Sequence, residues 1–170
     1  RIGEGGMGAV YHAYDRNRQE DIAVKVLLPH LLLHANARER FLSEAKISIT
    51  LAHPNIVNVF DVQRDGDIDF ITMELLKGQT LREVLQARKS ARKLFSVDEA
   101  LVLARAIGSA LEYAHKRTVH RDVKPENIWV TDDGSEEGAQ YKLMDFGIAR
   151  VVSKSQMTQT AMVIGSAYYM

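Results

Sequence analysis

The sequence contains no cysteine, so it can form no disulfide bond, no thiolate metal site and no cysteine nucleophile. Neither sign of charge is in excess, because 22 basic residues balance 22 acidic residues. The chain therefore has no overall field that would attract nucleic acid or a membrane surface. No apolar run reaches the length of about 18 residues that spans a bilayer, and neither end resembles a signal peptide. We predict no nucleic-acid partner and no membrane segment in this chain.

The size and composition of the chain fit a single globular domain. It has 170 residues, of which 46% are hydrophobic and 26% are charged, which excludes disorder as its general state. The chain begins at Arg1 without a methionine and stops at Met170 just after an apolar stretch. From this we expect a portion of a longer domain.

The spacing of apolar residues changes near Gly78, which predicts two lobes. Before this point the sequence predicts one amphipathic helix over residues 37–51 and four strands, over residues 10–14, 22–27, 56–62 and 68–75. After this point it predicts two helices, over residues 81–91 and 97–115, and a short hairpin of residues 128–130 and 141–144. We expect a hinge near residues 74–78, and a cleft between two lobes is a usual place for a small ligand.

Residues 3–10 carry a glycine-rich pattern, Gly-Glu-Gly-Gly-Met-Gly-Ala-Val. Such glycines let backbone amides approach phosphate oxygens closely, although a simple glycine-rich turn is an equal alternative on this evidence alone. A dinucleotide-binding loop would need a helix next, whereas residues 9–14 have the composition of a strand. The pattern therefore favours a flap between two strands, and the absence of a G-x-x-x-x-G-K-[ST] run excludes a Walker-type site.

Lys25 lies in the strand predicted over residues 22–27. Because strand side chains alternate, Lys25 and Ala23 should face the cleft, while Ile22, Val24 and Val26 should face apolar packing on the other side. Glu44, on the helix predicted over residues 37–51, could pair with Lys25 and hold it for a phosphate group. The alternative is an ordinary surface ion pair.

Two further motifs bring oxygen ligands and a proton acceptor together. Residues 120–127 read His-Arg-Asp-Val-Lys-Pro-Glu-Asn, and Asp-Phe-Gly follows at residues 145–147. If the intervening strands pair antiparallel, Asn127 meets Asp145, and their amide and carboxylate oxygens suit Mg²⁺. Asp122 is then near enough to accept a proton from an attacking hydroxyl. Lys124 could neutralise charge on a transferred phosphoryl group.

In their order and spacing, these motifs resemble the signature set of the protein kinases. The resemblance covers essentially the whole chain and also includes His-Pro-Asn-Ile-Val at residues 53–57. It implies an α+β, bilobal protein kinase-like fold, with a small antiparallel-sheet N-lobe bearing one main helix and an incomplete, mainly helical C-lobe. Residues 1–76 would form the N-lobe and hinge, and residues 77–170 the partial C-lobe that ends in the activation segment. Lys124, two positions after Asp122, indicates the serine/threonine branch.

The resemblance also implies ATP and Mg²⁺ as cofactors and assigns a role to each candidate residue. It implies that Gly3, Gly5 and Gly8 cover the phosphates. Above and below adenine, Val10 and Ala23 would form the roof and Trp129 the floor. At the edge of adenine, Glu74 and Leu76 would offer backbone groups, and Met73 would guard the back pocket. For Trp129, a core tryptophan is an equal alternative. For the chemistry, it implies that Lys25, held by Glu44, contacts the α- and β-phosphates, that Asp122 is the base assisted by Lys124, and that Asn127 and Asp145 hold Mg²⁺.

The activation segment and the cellular setting follow from the same resemblance. Residues 157–166 are similar to the activation loop of bacterial transmembrane serine/threonine kinases, including the PASTA-bearing receptor kinases. Thr158 and Thr160 match residues which that family autophosphorylates, and a phosphate there could pair with Arg121. The alternative is a polar loop with unmodified threonines. The resemblance implies protein substrates, a homodimer during autophosphorylation, and a cytoplasmic location, as a free protein or as the cytoplasmic domain of a membrane-anchored receptor.

Two departures and two alternatives remain open at this point. Ser48 stands where the family often has an apolar residue packed toward Phe146. The chain also stops before the A-P-E segment and the helices that anchor the substrate-binding floor, so we expect this fragment to have little or no transfer activity. A nucleotide-binding pseudokinase or scaffold is one alternative function, and a kinase-like small-molecule phosphotransferase is the other.

Overall fold

The computed structural model describes residues 1–5, 8–27, 42, 45–131 and 139–146. The strands in these residues are β1 (Gly3–Gly5), β2 (Gly8–Asp15), β3 (Glu20–Leu27), β4 (Val59–Asp65), β5 (Ile68–Glu74), β6 (Gln79–Thr80), β7 (Ile128–Thr131) and β8 (Gln140–Leu143). The helices are α1, described over residues 45–49, α2 (Leu81–Ser90), α3 (Val97–His115) and the 3-10 helix Pro125–Asn127. Among the described residues, no helix has both the length and the apolar character needed to cross a membrane.

The first five strands form one antiparallel sheet in the order β1-β2-β3-β5-β4. β2 and β3 are joined by a tight turn in which Asp15 Oδ1 accepts hydrogen bonds from the N–H groups of Asn17 and Arg18, at 2.8 and 3.1 Å. An aspartate that bonds the backbone two and three residues ahead closes such a turn. The short connection places β2 directly beside β3, so Val10, at the end of the glycine-rich pattern, pairs with Lys25 across the sheet.

The core of this lobe lies on the face of the sheet that carries Lys25. Leu27 shares that face and packs with Ala45 of α1 and with Ile71 of β5. We expected Ile22, Val24 and Val26 to face apolar packing on the other side; Ile22 is buried as expected, whereas Val24 and Val26 are only half-buried. The helix covers the cleft side of the sheet, and Lys25 is therefore buried beside the core.

The second lobe consists of α2, α3 and the antiparallel sheet β6-β7-β8. Each helix begins with a capping box: Thr80 with Glu83 for α2, and Ser96 with Glu99 for α3. Reciprocal side-chain bonds satisfy backbone N–H groups that the first helical turn would leave unpaired. α3 buries Ile107, Ala110 and Ala114 in a core that also contains Tyr141, Leu143, Phe146 and other apolar side chains.

The segment between α1 and β4 connects the two lobes through β8. Ile56 forms a parallel bridge with Leu143. The N–H of Val57 donates to the carbonyl of Leu143 at 3.0 Å, and the N–H of Leu143 donates to the carbonyl of Asn55 at 2.8 Å. Because residues 55–57 pair with β8, the strand expected from residue 56 begins only at Val59. β8 is thereby fixed to the first lobe immediately before Asp145.

Candidate active site

A cleft of about 350 Å³ opens between the two lobes. Most of the residues that we expected around a nucleotide are found in the lining of this cleft: Gly3, Val10, Ala23, Lys25, Met73, Glu74, Leu76, Trp129 and Asp145. The lining also contains Ile2, Val57, Leu75, Thr80, Glu83 and Met144. The upper wall comes from the β1–β3 sheet and the lower wall from β7 and the end of β8. The apolar upper and lower walls leave a space suited to a flat, partly polar ligand.

Gly8 is required by the packing of the flap against β3. It pairs with Leu27 across the sheet, and a Cβ placed on Gly8 would lie 2.0 Å from the carbonyl oxygen of Val26. Gly5 pairs with Gly8 within the β1–β2 hairpin. Of the three glycines expected to cover phosphates, Gly3 lines the cleft and Gly8 permits the close approach of two backbones.

Lys25 and Asp145 form an ion pair inside the cleft, with Nζ 2.6 Å from Oδ1. The side chains are 10% and 27% exposed, respectively. Burial acts to raise the pKa of Asp145, but the ammonium of Lys25, by its charge and its hydrogen bond, outweighs burial and holds that pKa below its ordinary value. Asp145 is therefore ionised near neutral pH. Glu44, Gly147, Thr158 and Thr160 lie outside the described residues.

Asp122, Lys124 and Asn127 contact one another, and Lys124 is near enough to Asp145 for its charge to help lower the pKa of that carboxyl. Lys124 Nζ lies 2.6 Å from Asp122 Oδ2. Asn127 Nδ2 donates to the carbonyl oxygen and to Oδ2 of Asp122, at 2.8 and 3.1 Å. Because the amide nitrogen of Asn127 is used on Asp122, its amide oxygen is the atom left to bind a cation.

His120 connects the loop that carries Asp122 to the chain that carries Asp145. Its ring is 1% exposed, and its Nε2 lies 2.7 Å from the carbonyl oxygen of Met144. Its Nδ1 accepts from the N–H of Asp122 at 3.3 Å, so Nε2 carries the proton and donates to Met144. Burial lowers the pKa of His120, which favours this neutral form. Phe146 packs edge-on against the ring at 4.6 Å between centroids.

The backbone around these groups is held in an unusual conformation. Arg121 and Asp145 both have positive φ, at 66° and 58°. Each such residue costs on the order of 1 kcal/mol and persists only where its surroundings enforce it. The N–H of Met144 donates to the carbonyl of Asn127 at 2.9 Å, which fixes Asp145 beside Asn127.

A metal ion in this region would depend on few protein ligands. The described part of the chain contains no cluster of three or more histidine, aspartate or glutamate side chains that could hold one. Asn127 and Asp145 offer an amide oxygen and a carboxylate, which are hard ligands that fit Mg²⁺ and disfavour zinc. Further ligands would come from water and from the phosphate groups of a nucleotide.

The profile of the protein kinase domain matches residues 1–170, which is the entire chain. The chain belongs to the protein kinase family. The chain is 43% identical over 99% of its length to a probable serine/threonine-protein kinase of Streptomyces coelicolor, and 39% identical over 99% of its length to the serine/threonine-protein kinase PknA of Mycobacterium tuberculosis. It spans 25% and 38% of these relatives, respectively.

Solved structures confirm the kinase fold expected from the sequence. The crystal structure of the Mycobacterium tuberculosis PknI kinase domain is 30% identical to the chain, with a TM-score of 0.76. The match covers 91% of this kinase chain and 63% of the PknI chain. The fold class and the serine/threonine branch of the family, both expected from the motifs, are therefore confirmed.

Trp129 lies in the cleft of this kinase domain. It lines the cavity, and its indole Nε1–H donates to the carbonyl oxygen of Lys77 at 3.2 Å. It belongs to neither apolar core. Ser48 is buried and lines a much smaller cavity of about 20 Å³, together with Met73, Asp145 and Phe146.

Sequence reasoning missed one polar group at the edge of this kinase cleft. Lys142 Nζ lies 2.7 and 3.0 Å from Oε1 and Oε2 of Glu74. Alternation along β8 could have revealed it, because Tyr141 and Leu143 are apolar and point to the core. Lys142 must then point to the opposite face of the strand, toward the cleft.

Proposed function

We propose that the chain carries the catalytic centre of a serine/threonine protein kinase, which transfers the γ-phosphoryl group of ATP to serine or threonine hydroxyls of proteins. One observation carries this proposal: Lys25 and Asp145 form an ion pair in the lining of a cleft with apolar walls, and Met144, next to Asp145, is hydrogen-bonded to Asn127, which in turn bonds the Asp122 carboxylate beside Lys124. A proton acceptor on Asp122, the ammonium groups of Lys25 and Lys124, and oxygen ligands from two further side chains then serve a single reaction centre.

The residues of the cleft account for nucleotide binding. Adenine fits between Val10 and Ala23 above and Trp129 below, with the backbone of Glu74 and Leu76 at its edge. Lys25 lies farther in, where its ammonium neutralises phosphate oxygens. Asn127 and Asp145 would hold Mg²⁺, which when bound supplies charge neutralisation at the phosphates. Lys25 and Asp145 neutralise each other through their ion pair.

Asp122 accepts the proton of the attacking hydroxyl in this mechanism. Its carboxylate is oriented by Lys124 and by the amide of Asn127, so one oxygen is held while the other faces the acceptor. The ammonium of Lys124 also lies where negative charge develops on the transferred group. Such a positioned base typically contributes about 10²- to 10⁴-fold in rate.

The cellular setting remains part of the proposal. The relatives are named as serine/threonine-protein kinases, which supports protein substrates over small molecules. We extend to this protein a cytoplasmic location, a transient homodimer, and autophosphorylation at Thr158 and Thr160. We also propose that residues 1–76 form one lobe and residues 77–170 a partial second lobe. The 170-residue chain by itself should have low transfer activity.

The experiment uses Asp122→Asn in the full-length protein that contains this chain. We expect the autophosphorylation rate with radiolabelled ATP to fall about 10²- to 10⁴-fold, while calorimetry shows ATP affinity within about twofold of the unchanged protein. Asp67→Asn, in the exposed turn between β4 and β5, is the matched control and should keep full activity. Mass spectrometry of the same reaction reports whether Thr158 and Thr160 are modified.

Two results would contradict the proposal. Undiminished phosphorylation by Asp122→Asn would mean that another group accepts the proton. ATP binding without any transfer by the unchanged protein would instead identify a pseudokinase that signals through conformation.

A further inference from the structure

The segment 74–77, which joins the two lobes along the back of the cleft, is held at its beginning by Glu74. The Glu74 carboxylate accepts from Lys142 Nζ at 2.7 and 3.0 Å and from the backbone N–H of Asn58 at 2.7 Å. The backbone N–H of Glu74 donates in turn to the carbonyl of Asn58 at 3.0 Å. The side chains of Lys142 and Glu74 are only 17% and 25% exposed, so water screens this pair less than an exposed pair.

The same segment is held at its end by Trp129. The indole N–H of Trp129 donates to the carbonyl oxygen of Lys77 at 3.2 Å. Trp129 and Lys142 are opposite each other in the β7–β8 ladder, so their side chains share one face of that sheet. The other face is fixed in the core by Tyr141 and Leu143. Two adjacent side chains on a rigid sheet therefore reach the two ends of one short segment.

We propose that Lys142 is a positioning residue for the nucleotide base: through Glu74, and together with Trp129 at Lys77, it holds segment 74–77 in register with the edge of adenine. This inference rests on the proposed function, because it concerns the same cleft. Adenine presents an amino donor and a ring acceptor at its edge, and backbone groups can match them only if the segment keeps its place. Without Lys142, the Glu74 carboxylate keeps only the Asn58 N–H among its bonds in the described residues, and the segment gains freedom.

The experiment compares two nucleotides on Lys142→Met in the full-length protein. The probes are ATP and purine riboside 5′-triphosphate, which lacks the 6-amino group, each with Mg²⁺ and measured by calorimetry. We expect Lys142→Met to weaken ATP binding about five- to tenfold while the analogue changes by less than twofold, so that the preference for ATP collapses. The turnover number at saturating ATP should stay within about twofold, because Lys142 does not touch the reacting atoms.

Three variants keep the test independent of folding defects. Lys142→Arg should restore most of the preference for ATP, since a guanidinium can also reach the carboxylate. Glu74→Gln keeps an acceptor for the Asn58 N–H but loses the ionic attraction, so it should reproduce the effect of Lys142→Met even if that variant were unstable. Lys116→Met removes an exposed lysine that caps α3 and does not line the cleft, and should leave both affinities unchanged.

The outcomes separate this inference from the function on which it rests. An unchanged ratio of ATP to analogue affinity in both Lys142→Met and Glu74→Gln would overturn the inference alone. A rise in turnover number would overturn it as well, because the network would then restrain the enzyme and not position the base. Failure of the unchanged protein to bind ATP would overturn both the inference and the proposed function.

Discussion

At the scale of single residues, the groups proposed to carry the chemistry are held by neighbours with different tasks. Asp122 is oriented by Lys124 and Asn127, and Asp145 is kept ionised by Lys25. His120 does not reach the cleft, yet its two ring nitrogens fix the backbone on both sides of the site. The candidate catalytic residues could be proposed from the sequence because their types and spacing are specific. Their positive φ values could not, since these arise from packing around Arg121 and Asp145.

Gly8 offers a residue-scale prediction about the flap. Replacing Gly8 with alanine should destabilise the chain by about 1–3 kcal/mol, because the new methyl group would overlap the Val26 carbonyl and force β2 away from β3. Urea-induced unfolding, followed by circular dichroism, measures the change in the free energy of unfolding.

Gly108 provides the matched control for this prediction. It lies in the middle of α3, and a Cβ there would have no neighbour within 4 Å. Alanine at this exposed helical position should stabilise the chain by about 0.5–1 kcal/mol. Equal effects of the same sign at Gly8 and Gly108 would contradict the account, because they would show that the close approach at β3 is absent.

At the scale of elements, α2 and α3 are joined by a bidentate ion pair between Arg88 and Glu99. Arg88 Nη1 and Nη2 donate to Glu99 Oε2 and Oε1 at 3.0 and 2.6 Å, and the guanidinium lies 4.0 Å from the centre of the Phe95 ring. Glu99 also completes the capping box of Ser96. The hydrogen bonds from Arg88, followed by the Ser96 backbone N–H, lower the pKa of Glu99 from 4.5 to about 2.

This lowered pKa predicts how stability responds to acid. A carboxylate with a lowered pKa in the folded state contributes stability that is fully present above its unfolded pKa of 4.5 and is lost as the pH falls toward 2. We expect Glu99→Gln to lower the melting temperature at pH 6, and the difference from the unchanged protein to shrink by pH 3. Glu112→Gln, at an exposed position of the same helix, is the control. A difference that stays constant from pH 6 to pH 3 would contradict this assignment.

Strand and helix positions could be predicted well where one face alone is buried, and less well elsewhere. Residues 22–27 and 68–75 were placed nearly correctly as β3 and β5 by their composition and flanking turns. On β3 the burial of Ile22 was predicted correctly but that of Val24 and Val26 was not, because both faces carry apolar residues and the helix α1 packs on the face of Leu27. The start of β4 was misplaced because residues 55–57 bind β8, a contact between residues more than 80 positions apart that local spacing cannot reveal.

At the scale of the whole molecule, the cleft depends on β8 and on the segment that binds it. Residues 55–57 fix β8 to the first lobe by backbone hydrogen bonds, while Lys142 of β8 holds Glu74 at the hinge. The order of motifs along the chain was enough to predict two lobes and a shared cleft. The hinge contacts of Lys142 and Trp129 required the β7–β8 register, which a single sequence specifies only through alternation.

The central claim is that one cleft brings together Lys25, Asp122, Asn127 and Asp145 around a nucleotide. The most direct test is a crystal structure of the full-length protein or its intact kinase domain with Mg²⁺ and a non-hydrolysable ATP analogue. The account predicts the base between Ala23 and Trp129, phosphate oxygens at Lys25 and a cation bound by Asn127 and Asp145. A nucleotide bound elsewhere, or phosphates that avoid Lys25 and Asp145, would contradict it.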